Sequence, residues 1–98
     1  MNVNLLIDGA EVKARSNATF ERRDPVTGKV ASVAQAASPE DVKAACDAAA
    51  AAFPAWAEMG PNARRTLLLK AADLLASRSY YFVKLMIEET GATGIWAG

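Results

Sequence analysis

The chain has 98 residues, with 11 basic and 11 acidic side chains, no histidine and one cysteine. Balanced charge without a basic run argues against a nucleic-acid partner, no stretch approaches the roughly 18 apolar residues of a membrane span, and the missing histidine removes Ser-His and Cys-His nucleophile pairs and the commonest zinc ligand sets. Apolar residues make up 52% of the chain but 22 of them are alanines, which bury little area each at about 25 cal/mol per Å², so the composition suits a layer pressed against something larger better than a self-sufficient core.

The N-terminal run "MNVNLLIDGAEVK" carries neither a basic leader nor a long apolar region, and is not expected to be a signal peptide. "NLLI" and "AEVK" flank Asp8-Gly9, a strong signal for a two-residue hairpin turn. "TFERRD" and "KVASVAQ" follow as strands on either side of Asp24-Pro25-Val26-Thr27-Gly28, where Pro25 presets a turn and Gly28 tolerates its exit. A second hairpin or a strand-loop-strand is expected. Val30 and Val33 do not share a face at period two, which makes the last of these four strands the weakest.

Three helices are expected from residue 38 onward. Ser38 can cap the first, Pro39 fits its first position, and Glu40 and Asp41 complement the helix dipole. Val42, Ala45, Cys46, Ala49, Phe53 and Trp56 recur at three- and four-residue steps. Pro54 is expected to end this helix, leaving Trp56 in the connection that follows. Gly60-Pro61 opens the second helix, whose apolar stripe is Leu67, Leu68, Ala71, Leu74 and Leu75. "SRS" separates the third, where Phe82, Leu85 and Met86 share a face and Gly91 is the stop.

No constellation in these residues can run a reaction. There is no GxGxxG, no GxxxxGK[ST] and no CxxC. Cys46 lies on the alanine face of the first helix and reads as a small buried hydrophobe; a lone cysteine also fits a reducing cytosol. Glu88 and Glu89 point about 100° apart on a helix and read as a solvated face. Arg22 and Arg23 are expected to pair with Asp24 or Glu21 along a strand edge, and the alanine run from 48 to 52 reflects helix propensity. Trp96, standing beyond the helix stop between Gly94 and Gly98, can be either a packed structural side chain or the wall of a ligand site, since aromatics dominate both settings.

"LLIDGAEV", "TFERRDPVTGKV", "SPEDVKAACDAAAAAFPAW", "RRTLLLKAADLL" and "EETGATGIWAG" form one ordered series. It resembles the N-terminal segment of the aldehyde dehydrogenase superfamily, whose members show an I-D/N-G hairpin, a strand ending in N-P-x-T/S-G, an S-x-E-D-V helix running into A-F-x-x-W, an R-x-x-L-L helix and an E-x-G stop. No single motif is specific; five in this order and spacing are. The resemblance runs from about Leu5 to Gly98. Asp24 in place of the usual asparagine, and "ETGATGIWAG" in place of the commoner G-K-P ending, are similar to the branch of salicylaldehyde and vanillin dehydrogenases, which oxidise aromatic aldehydes in bacterial aromatic degradation.

The resemblance implies an α/β fold of the aldehyde dehydrogenase type. Residues 1–98 would be the N-terminal part of the NAD(P)-binding domain: a β-hairpin region over 1–36, three helices over 38–90, and over 91–98 the start of the connection to the next helix. All would pack on a Rossmann-like core. It further implies an N-terminal piece of a cytoplasmic enzyme, a homodimer or homotetramer, that oxidises an aldehyde with NAD or NADP. The catalytic cysteine, general base, oxyanion-binding asparagine and cofactor-binding residues would all lie beyond this chain, so no residue here inherits a catalytic, cofactor or metal role. Trp96 alone is expected near the aldehyde entrance, with Ile95 turned into packing. The alternatives from other classes are a stand-alone helical interaction module and an inactive structural fragment.

Overall fold

The computed structural model describes residues 1–98. Five strands precede four helices: β1 (Asn2–Val3), β2 (Leu5–Ile7), β3 (Ala10–Val12), β4 (Thr19–Arg23), β5 (Val30–Gln35), α1 (Pro39–Glu58), α2 (Pro61–Ser77), α3 (Ser79–Thr90) and α4 (Gly94–Ala97). The first hairpin forms as its turn residues require. Asp8 and Gly9 both take positive φ, 54° and 73°, the signature of a type I′ turn, and Ile7 pairs with Ala10 in an antiparallel ladder.

The second sheet has the order β1-β5-β4. β4 and β5 are antiparallel across the Asp24–Lys29 loop, while β1 lies parallel to β5 with Asn2 opposite Val33. β5 is therefore not the weakest strand but the central one. The register slips between Arg22, opposite Ser32, and Arg23, opposite Val30, so Ala31 is an extra residue on β5. A bulge of this kind shifts the alternation by one, which is why Val30 and Val33 are out of step at period two. β1 was not expected; two residues are too short for any periodicity to register.

α1 opens with a complete capping box: Asp41 N–H donates to Ser38 Oγ, and Ser38 N–H donates to Asp41 Oδ2 at 2.8 Å. Contrary to expectation the helix runs through Pro54 to Glu58. Proline there forgoes its own bond to the preceding turn. The residues beyond it still close their ladder, with Met59 N–H reaching the Ala55 and Trp56 carbonyls, so Trp56 is helical. Arg78 alone separates α2 from α3, and Gly91 ends α3 in the left-handed region at φ 70°.

Only Ala14, Ser32 and Asp41 are buried, and two of those three are polar. The molecule is a slab of 48 × 36 × 15 Å. Its thinnest dimension is little more than one helix diameter, about 10–12 Å, where a domain needs two packed layers around a core. The radius of gyration is 17.0 Å, against roughly 13 Å for a compact domain of this length. α3 lies on β4 and β5, α1 touches β2, and α2 packs closely on no other element. Leu67, Leu68, Leu74 and Leu75 of the α2 stripe are all exposed, as are Phe53 and Trp56 of α1. The alanine-rich, open composition has produced a layer without a lid. No helix is long and apolar enough to cross a membrane.

Candidate functional site

The segment after Gly91 carries the one side chain with a functional expectation. Gly91 N–H donates to the Ile87 carbonyl and turns the chain out of α3. Thr93 then caps α4, its Oγ1 accepting from Trp96 N–H at 3.3 Å. Trp96 is 73% exposed and Ile95 96% exposed. Ile95 thus does not turn into packing within this chain, because no element lies over that side of α4. Residues 91–98 are already helical over 94–97, so the connection anticipated there is itself the start of a short helix.

The loop beneath this segment is closed by its own hydrogen bonds. Asp24 Oδ1 accepts from Val26 N–H at 2.8 Å and Thr27 N–H at 3.2 Å, Gly28 N–H donates to the Asp24 carbonyl, and Asp24 N–H donates to the Lys29 carbonyl. The Val26 backbone bond, with smaller help from Thr27 and Lys29, holds the Asp24 carboxyl below its ordinary range against the opposing effect of desolvation. Arg23 pairs with Glu21 and donates through Nη1 to the Gly28 carbonyl, in keeping with a strand-edge role. Against this loop and strand lies the end of α3, where Ser32 Oγ donates to Glu89 Oε1 at 3.1 Å. Glu89 is thereby drawn out of the solvated face expected for it. Glu88 keeps partial exposure beside Lys84.

Cys46 also departs from expectation. It is exposed, because the surface that would cover the α1 alanine face is not provided by these residues. It lines an apolar groove of about 360 Å³ with Leu5, Ile7, Val42, Ala45 and Ala49. A second groove, of about 510 Å³, runs between Trp56 and the Arg64, Leu68 and Leu69 side of α2. A polar crevice of about 280 Å³ lies between the Asp24–Val30 loop and Glu88. None of these three includes Trp96. No group of three or more Cys, Asp or Glu side chains could hold a metal ion.

The aldehyde dehydrogenase family model matches residues 12–97. The chain belongs to the aldehyde dehydrogenase family. It is 51% identical over 98 residues to the vanillin dehydrogenase of Pseudomonas fluorescens, which covers the whole of this chain and 20% of that protein. Among solved structures it is similar to a salicylaldehyde dehydrogenase from Pseudomonas putida G7 complexed with salicylaldehyde, at 39% identity and a TM-score of 0.96 over 100% of this chain and 20% of that one. An NAD-dependent aldehyde dehydrogenase from Sinorhizobium meliloti follows at 33% identity and 0.95, covering 99% of this chain and 20% of that one. The chain therefore spans about a fifth of the length of the relatives it matches. The open slab is this family's fold over that fifth, and resemblance to aromatic-aldehyde members holds at the level of identity.

Proposed function

We propose that these residues serve as the N-terminal, structural fifth of a cytoplasmic, homo-oligomeric aldehyde dehydrogenase that oxidises an aromatic aldehyde to its carboxylate with NAD or NADP, and that Trp96 forms part of the aldehyde pocket. The observation that carries the assignment is the pairing of a fully matched family fold with a surface that is unfinished on its apolar side. A reducing compartment suits the lone thiol of Cys46. An aromatic substrate is supported by the identity to vanillin and salicylaldehyde dehydrogenases. The exposed indole of Trp96, carried on α4, offers a flat face to such a ring. The chain contributes scaffold and one pocket wall; it holds no nucleophile, base or cofactor group of its own.

The test is kinetic, on the product of the whole reading frame that encodes these residues. Offset or edge-on ring contacts contribute roughly 0.5–1.5 kcal/mol beyond buried area, so Trp96→Ala is expected to lower kcat/KM for salicylaldehyde roughly two- to tenfold. A short aliphatic aldehyde should be nearly unaffected. If both substrates lose equally, or neither changes, Trp96 is a packing residue and not a pocket wall.

A further inference from the structure

α3 does not simply end at Gly91; it is seated there. A Cβ added to Gly91 would lie 2.9 Å from Pro25 Cγ and 3.3 Å from Val26 Cγ2. The backbone at this point has φ 70°, a conformation that side chains with a Cβ adopt at a cost. Two independent demands therefore select glycine: the left-handed turn and the close approach to the Pro25-Val26 corner. That corner cannot easily yield, since Pro25 is ring-constrained and the Asp24 carboxylate and backbone bonds close the loop around it.

A second tie lies two residues back. Ser32, almost fully buried at the centre of the sheet, donates to Glu89, 57 residues away in sequence. Glu89 thus bonds the end of α3 to β5, and the left-handed Gly91 turns the chain out of the helix. Five residues later stands Trp96, with only the Thr93 cap and one turn of α4 between. We propose that Gly91, and Glu89 through its bond to Ser32, are positioning residues for Trp96, so that the seating of the α3 end on the Asp24–Gly28 loop and on β5 sets how strongly the enzyme prefers aromatic aldehydes. This rests on the placement of Trp96 in the aldehyde pocket argued above.

The experiment uses the product of the whole reading frame and the ratio of kcat/KM for salicylaldehyde to that for a short aliphatic aldehyde. Gly91→Ala and Glu89→Ala are each expected to lower the ratio several-fold, on the order of the effect of Trp96→Ala itself. Glu89→Gln keeps an acceptor for Ser32 Oγ and should keep the ratio. In a Trp96→Ala background, Gly91→Ala should leave the ratio where Trp96→Ala put it, the mark of residues acting through one another. A fluorescence difference between each variant and its Trp96→Phe counterpart should shift for Gly91→Ala and Glu89→Ala but not for Glu89→Gln. Because Glu89→Ala removes the separate Ser32 tie without straining the backbone, the test survives a Gly91 variant that fails to fold. Should Trp96→Ala be selective while Gly91→Ala and Glu89→Ala lower both substrates equally, the positioning role is overturned and the pocket wall stands. An unselective Trp96→Ala overturns both.

Discussion

Separating residues 1–98 from any other polypeptide should leave them without a stable fold. A compact globule of this 10.3 kDa mass exposes about 5,400 Å², whereas this chain exposes 7597 Å². The surplus, about 2,200 Å² on this chain alone, is ample for one side of an obligate interface, which buries about 2,000–5,000 Å² summed over both partners, and its apolar part includes the leucine stripe of α2 and the aromatic end of α1. Burial within the chain stops at one alanine and two polar side chains. A self-sufficient domain of about 100 residues absorbs about 60–80 kcal/mol in a single sharp thermal transition. Here calorimetry should show a broad transition with a small fraction of that heat, and sedimentation should show self-association through the uncovered faces. A monodisperse monomer that melts sharply with the full enthalpy would refute the reasoning, because no unfinished surface could then be limiting its stability.

Cys46→Ala in the product of the whole reading frame should leave turnover within about twofold of wild type, while in the isolated chain the same thiol should react fully with a thiol reagent, since it is exposed there; loss of activity in a folded Cys46→Ala variant would give the residue a role it is denied here. Asp41 supplies a pH dependence. Bonds from the Ser38 backbone, then from the Ser38 side chain and Arg15, hold its carboxyl below the ordinary value of 3.8 despite desolvation. A depressed folded value means that the stabilisation is complete above the unfolded value and is lost as pH falls through the folded one. Acid-unfolding curves of the whole product should therefore steepen below about pH 4, and Asp41→Asn should flatten that limb; parallel curves would show that the capping box does not contribute.

Legibility in the sequence followed the range of each interaction. Asp8-Gly9, the Ser38–Asp41 box and Gly91 each act within one turn, and each is where local chemistry puts it. Pro54 shows the limit of the same rules: a proline with four helical residues after it was absorbed because those residues complete their own bonds. The central place of β5 is hidden by its bulge at Ala31 and by a parallel partner near the N-terminus, 31 residues away. The Ser32–Glu89 tie spans 57 residues and follows no periodicity. The alanine around Cys46 describes its face correctly but not whether anything in these residues covers it, and the thiol is exposed. For the candidate site, the glycine stop and the tryptophan were visible, whereas the loop that Gly91 rests on emerges only when α3 lies across the sheet.

Aldehyde-dependent reduction of NAD or NADP, measured side by side for the 98-residue chain and for the product of the whole reading frame, tests the central claim most directly. With salicylaldehyde or vanillin as substrate, the 98 residues alone are expected to reduce no cofactor and to bind none, because they hold no nucleophile, base or dinucleotide-binding loop. The whole product is expected to turn over, with aromatic aldehydes preferred. Turnover by the 98 residues alone, or a whole product that leaves aromatic aldehydes untouched with either cofactor, would contradict the account.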